Sequence, residues 1–294
     1  MKYAWILEQS DSFPVAVMCR VLKVSRAGFY AWRDRPVSPR AERTARIQQA
    51  VQQVHANSHG IYGSVKITKK LVQMPELEPA CRNTVAKAMR ELGLTGAIPR
   101  AFKPTTTEVD PAHKPAPNTL AQNFTAEAPN RKWVTDITYL KTATGWVYLA
   151  VVLDLFSRKV VGWNLGPSLA TELVAIALRN AIELRRPQGS ELLHHSDRGC
   201  QYTSEAYQRT LQSLGIECSM SRTGCCYDNA VMERFFWSLK HEWTNQYEYA
   251  DEAAARLSVF KYIETFYNSE RLHQSLDYQT PNRFEAVHAP ASAA

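Results

Sequence analysis

The apolar positions of this chain recur with two different periods. Up to about residue 98 the spacing is helical. Residues 13–22 and 25–33 read as two short helices joined at Lys23-Val-Ser25, with Ser25 as N-cap of the second. Residues 40–57 predict a longer helix with Ile47, Val51 and Val54 on one face. Gly60 and Gly63 bracket Ile61-Tyr62, a helix restarts through residues 66–71, and another spans 83–92 and stops at Gly93. Helices of this size are helix-turn-helix-like.

From Lys132 the runs shorten. Residues 133–140, 146–153 and 158–165 read as strands joined by turns at 142–145 and 154–157. Two of these runs are almost continuously apolar, as in strands covered on both faces. A helix over residues 171–185, a strand over 191–196, a helix over 204–214 and a strand over 216–219 follow. A helix then begins near Asn229, with Met232, Phe235, Phe236, Leu239 and Trp243 forming a stripe that packs on a sheet. Leu257, Phe260, Ile263 and Tyr267 repeat helical spacing and predict a further docked face. The order predicts an α/β core, a mixed five-stranded sheet flanked by helices, preceded by an all-α region.

Composition divides the chain in the same place. Six of its 15 prolines fall in residues 99–129, which reads as an extended linker. The net charge is +7, but residues 1–130 carry +8 and residues 131–294 carry −1. The helical half therefore reads as the part that meets a polyanion, with Lys66, Lys69 and Lys70 on one helix and Arg82, Lys87 and Arg90 on the next. A packing module with a solvated basic face stays open as the alternative. The six cysteines contain no C-x-x-C pair, so a zinc site or disulfide frame is not expected. The N-terminus does not read as a signal peptide, and no run spans a bilayer, so the expected location is the cytoplasm.

The chemistry is carried by acids in unusual places. Asp136 interrupts an apolar strand, Asp197 ends a short apolar run, and Glu233 lies on the amphipathic helix, with 35 residues between Asp197 and Glu233. Carboxylates brought together at such positions repel one another, and a pair of divalent cations relieves the repulsion. Lys240 lies seven residues after Glu233, on the same helix edge. Asp228 reads as the helix N-cap. Asp154 is a rival acid at a strand end, and a turn-starting Asp that satisfies backbone donors accounts for it.

The stretches Trp133-Val-Thr-Asp136-Ile-Thr-Tyr139, His195-Ser-Asp197-Arg-Gly-Cys-Gln-Tyr202 and Asp228-Asn-Ala-Val-Met-Glu233, continuing to Lys240 and Glu242, closely resemble the catalytic core of insertion-sequence transposases. The family is the "IS-three" one, in its OrfB product, within the DD(35)E superfamily that includes retroviral integrases. The resemblance runs from about residue 10 to 286. It implies an RNase H-like core over residues 130–246, a helix-turn-helix-like segment over 1–38, a helical DNA-binding subdomain over 39–98, and a C-terminal helix and closing motif over 247–286 before a disordered tail, 287–294. It implies Asp136, Asp197 and Glu233 as catalytic and metal-binding residues for two Mg²⁺ (or Mn²⁺) ions. Cleavage of the element's terminal inverted repeats and joining to target DNA is the implied activity, with an OrfA partner or an OrfA–OrfB fusion and a homo-oligomer on DNA. Lys240 would contact DNA. The closing motif, Tyr267 to Pro281, matches except that Asp277 stands where Gly is expected; within it Arg271 and His273 either touch DNA or tie the last helix down. A non-catalytic DNA-binding regulator and a plain nuclease are the alternatives. Three mutually repelling acids disfavour the first, and the basic helices and Lys240 disfavour the second.

Overall fold

The computed structural model describes residues 1–75, 77, 79–97, 116–187 and 191–290. Most of the proline-rich stretch, residues 98–115, and the tail from 291 lie outside them.

Three helices, α1 (Lys2–Glu8), α2 (Val15–Val21) and α3 (Arg26–Arg33), pack around Ile6, Met18, Cys19 and Phe29. Ser25 caps α3 by accepting from the Gly28 amide at 3.2 Å. Helix α1 has no counterpart among the predicted elements. Helices α4 (Pro39–Asn57), α5 (Ser64–Val72) and α6 (Arg82–Glu91) bury Ile47, Val51, Ile67, Leu71 and Val85 in one apolar cluster.

That cluster continues into the sheet. Strands β1 (Lys132–Thr142), β2 (Gly145–Asp154), β3 (Val160–Gly166), β4 (Leu193–Ser196) and β5 (Glu217–Met220) lie in the order β3-β2-β1-β4-β5. The first three form an antiparallel meander, and β4 and β5 add parallel to β1. One face carries α7 (Thr171–Arg185), α8 (Cys200–Thr203) and α9 (Glu205–Ser213) over Trp133, Ala150, Val152 and Val161. Gly162 permits the closest approach, because a Cβ there would collide with the Ala177 carbonyl and Ala181 of α7. The other face carries α10 (Ala230–Glu242) and α11 (Glu252–Phe260) over Val134, Leu140, Leu149 and Val151. Helix α12 (Pro281–His288) closes the chain, capped by Thr280.

The stripe Met232, Phe235, Phe236, Leu239 and Trp243 is buried as its spacing requires. The later face differs. Leu257 and Phe260 are exposed, while Ala255, Val259, Tyr262, Ile263, Phe266 and Tyr267 are buried. The helix turns π-helical over Lys261–Tyr267, so Ile263 and Tyr267 of the expected face stay buried while Leu257 and Phe260, before it, turn outward. Residues 116–129 lie against the core: Leu120 is buried, and its amide donates to Ser219 Oγ at 3.1 Å.

Candidate active site

Asp136 sits mid-strand in β1 opposite Val151. Strand alternation places it on the face with Val134 and Leu140, the face that α10 covers. Strand β4 runs parallel with Val134 beside His195. Two residues further along both strands, that register brings Asp197 beside Asp136. Each carboxylate takes one backbone donor: Asp136 Oδ1 accepts from the Ile137 amide at 2.8 Å, and Asp197 Oδ1 from the Gly199 amide at 2.9 Å. Glu233 projects from the first turn of α10 and is exposed.

The electrostatics follow from burial and like charge. Burial drives the Asp136 carboxyl well above the ordinary range, the neighbouring Asp197 and the more distant Glu233 push the same way, and the Ile137 amide and Lys240 oppose them. Burial also raises Glu233. Lys240 extends toward the same place. Its ammonium lies 4.3 Å from the Tyr139 ring centroid, and burial lowers its proton affinity while Asp136 restores part of it. Tyr202, fully buried behind the pair, touches Thr135 Oγ1 at 3.3 Å; burial and Asp136 keep its hydroxyl protonated.

Asp136 and Asp197 are thus brought together, with Glu233 and Lys240 on the helix edge that bears on them. Among the described residues no three His, Cys, Asp or Glu side chains stand close enough to enclose one ion as they are. The donor set still fits a hard cation. It is all oxygen, it is partly buried, and its mutual repulsion is what a divalent ion relieves.

Asp154 is buried elsewhere. It accepts from the amides of Asn130 at 2.7 Å and Phe156 at 2.8 Å and pairs with Arg185 at 3.7 Å, the turn role expected of it. Asp228 does not cap α10. Asn229 holds that position, its side-chain Nδ2 donating to the Thr135 carbonyl at 3.2 Å. Asp228 lies one residue earlier in a 3₁₀ turn, where its carboxylate accepts from Arg222, Asn118 and Gln122. The Arg222 bonds hold it well below the usual carboxylate range. This lock ties residues 118–122 to the loop before α10; no local sequence pattern announces it, because Asn118 and Gln122 lie over a hundred positions from Asp228. Behind it His195 spans Ser219 Oγ at 2.8 Å and Ser221 Oγ at 3.1 Å, and burial pushes it down to about 4.

The remaining basic candidates converge on the closing motif. Lys66 stands 4.0 Å from Glu242, Lys69 lies 4.9 Å from the Tyr278 ring centroid, and Lys70 is 3.7 Å from Glu270. Burial, with Arg271 and Arg234 nearby, lowers Lys66 to about 8. Arg271 is buried and forks onto Glu242 at 2.6 and 2.5 Å, with Ser238 at 3.2 Å. His273 is buried beside it, and burial and the Arg271 charge hold it neutral. Asp277 adopts φ +49°, a left-handed conformation that explains the Gly expected there and that Asp tolerates.

The comparisons with known proteins give the family. An Integrase core domain family matches residues 126–226, a second Integrase core domain family matches 214–281, and an HTH-like domain family matches 42–102. The chain is 39% identical over 289 residues to the transposase InsF for insertion sequence IS3A of Escherichia coli (strain K12), covering 97% of this chain and 98% of that one. It is 40% identical over 251 residues to the transposase for insertion sequence element IS904 of Lactococcus lactis subsp. lactis (strain IL1403), covering 85% and 97%. Among solved structures, the HTLV-2 integrase catalytic core domain in complex with magnesium is 20% identical, covers 54% of this chain and 97% of its own, and superposes with a TM-score of 0.42. A chain of the simian T-cell lymphotropic virus intasome is 17% identical, covering 82% and 75%, with a TM-score of 0.48. With its integrase core, its HTH-like module and near full-length identity to these transposases, the chain belongs to the IS3 family of insertion-sequence transposases.

Proposed function

We propose that this enzyme cuts the ends of its own insertion sequence and joins the freed 3′-hydroxyls to target DNA, with Asp136, Asp197 and Glu233 as its catalytic residues. The observation that carries the reading is the buried Asp136 carboxyl on the strand beside Asp197, whose charge raises it, with Lys240 as the opposing charge. A pair of side-by-side acids has no structural use in a partly buried site, where each raises the other's proton affinity. Two Mg²⁺ (or Mn²⁺) ions held by these three residues would polarise the phosphate and supply a nucleophile at neutral pH.

The chain's own groups do the rest. The Ile137 and Gly199 amides each hold one oxygen of the Asp136 and Asp197 carboxylates and so restrain their rotamers. Water attacks the phosphorus at the element end and releases a 3′-hydroxyl. That hydroxyl then attacks a target phosphodiester, breaking its P–O3′ bond and displacing the target's own 3′-hydroxyl, and no covalent bond to the enzyme forms. Lys240 holds the phosphate beside the cleaved bond. Tyr202, kept neutral, closes the floor against water.

The helical module binds the terminal inverted repeats as duplex DNA. Lys66, Lys69 and Lys70 are its contact candidates, Lys66 shared with Glu242 of α10 and the other two with the C-terminal segment; burial favours the tying role for Arg271 and His273. An OrfA product is the partner, the active form is a homo-oligomer on DNA, and the setting is the cytoplasm. No helix among the described residues is long and apolar enough to cross a membrane.

The test is strand transfer on labelled element ends, with and without Mg²⁺ and the partner. Joining should require Mg²⁺ and vanish in Asp136→Asn. Wild-type joining by Asp136→Asn would refute the assignment.

A further inference from the structure

A quarter turn around α10 from the acids lies a cavity of about 930 Å³, bounded by the first turn of α5, one edge of α10 and the closing motif. Its size suits a small organic group and excludes a duplex. Four cations line it, Lys66, Arg158, Arg234 and Arg271, against one carboxylate, Glu242. Arg271 already occupies Glu242 with both prongs, and Lys66 shares the same group at 4.0 Å. Burial, reinforced by Arg271, Lys66 and Arg158, keeps His273 from taking a proton. These cations therefore bear on one place and remain under-compensated.

A polar group is missing a partner there. Arg158 donates through Nη2 to the Phe124 carbonyl at 2.9 Å, but its buried Nη1 has no hydrogen-bond partner among the described residues. A buried guanidinium donor without an acceptor calls for an anionic oxygen. The α10 edge of the cavity is planar in character. The Arg234 guanidinium lies 4.3 Å from the Trp237 ring centroid, and Trp237 stacks on His241 at 4.5 Å with 25° between the planes. The column runs from exposed Arg234 to buried His241. Stacked planar groups beside a cationic pocket suit a nucleobase and its phosphate.

The position relative to the catalytic pair supplies the strand. Arg234 follows Glu233 directly, and successive residues of a helix are about 100° apart. Around a helix roughly 10–12 Å across, that angle spans about 10 Å, a short reach along a DNA strand. We propose that this cavity holds an unpaired nucleotide of the DNA strand leaving the Asp136–Asp197 site, its base laid on the Arg234 end of the column and its phosphate taken by Arg158 and Lys66. The proposal rests on the reading of the substrate as DNA.

The test uses the full chain without divalent metal, so that it does not depend on cleavage. Two labelled DNAs are compared at one salt concentration: a blunt duplex, and the same duplex with a short unpaired extension. Wild type should bind the extended duplex about tenfold more tightly, the gain that stacking of one base provides. Arg234→Ala and Trp237→Ala should each bring the ratio of the two affinities toward one. Arg234 is exposed, so its variant keeps the test open should Trp237→Ala fold poorly. Equal wild-type affinities, or a preference that survives Arg234→Ala, would overturn the cavity's role while leaving the catalytic reading in place. Release of the extended duplex by free ATP, with the blunt duplex still bound, would replace the strand by a free nucleotide and also overturn it. Failure to bind either DNA would overturn both readings.

Discussion

Arg271 forks onto Glu242 at 2.6 and 2.5 Å, joining the closing motif to the last turn of the helix that carries Glu233. Both side chains are nearly out of solvent. Against burial, each holds the other charged: Glu242 raises Arg271, and Arg271 lowers Glu242. Arg271→Ala leaves a buried carboxylate with a poor partner in Lys66 and should destabilise the fold by about 3–5 kcal/mol. Arg271→Lys keeps charge but loses the fork and should recover only part. Urea midpoints measure both, and an unchanged midpoint for Arg271→Ala would return Arg271 to a purely DNA-contacting role.

Tyr62 ties the helical module to the same segment. Its hydroxyl donates to the Glu270 carbonyl at 2.9 Å and accepts from the Leu272 amide at 2.8 Å. Tyr62→Phe orphans both backbone groups and should destabilise by about 1–3 kcal/mol. The denaturation midpoint reads this, with circular dichroism expected to stay native.

Asp136→Asn should hold or raise metal-free stability, because it removes a carboxyl whose charge the fold opposes. The sign follows from its raised proton affinity. That penalty is absent below the ordinary value of 3.8 and grows as pH rises through the folded value, so metal-free wild type should lose stability on that rise and Asp136→Asn should not. Added Mg²⁺ should raise the wild-type Tm more than that of Asp136→Asn. Equal Mg²⁺ shifts would count against a metal site at these acids.

His195 gives the opposite slope. Burial lowers it from 6.5 to about 4, so its contribution is whole above pH 6.5 and is lost as pH falls from there toward about 4. His195→Gln should flatten that part of the profile. Midpoints at pH 7 and pH 5 supply the comparison.

Lys240→Ala should weaken binding of pre-cut element ends and lower joining without altering the Mg²⁺-induced Tm shift. Lys240→Arg should keep part of the activity. Its ammonium sits on Tyr139 with Asp136 beyond, so charge at this point matters more than fork geometry.

Much of this was legible in the residues. The period of apolar positions marked the sheet and the α10 stripe, because each buried side chain there answers only to its own element's repeat. Asp136 stood out because an apolar strand has no local use for a carboxylate. What stayed hidden depends on partners distant in the chain. Asp228 looked like a cap because Asp before a helix usually is one, and only Arg222, Asn118 and Gln122 in space make it a lock. The spacing of Leu257 and Phe260 fits a docked face, but Val259, Tyr262 and Phe266 fit the available groove better. The basic helix α5 read as a DNA face, and its lysines proved to share Glu242, Tyr278 and Glu270.

The pairing of Val134 with His195 makes the sheet its own proofreader. In a strand pair with a period of two, a slip of one residue turns every side chain to the opposite face. Such a slip in β4 would aim Asp197 away from Asp136 and drive His195 out of its serine pocket in the same event. A misthreaded chain would therefore lose the pairing of the two acids along with its packing. The chemistry proposed for that pair therefore hangs on the same register that completes the fold.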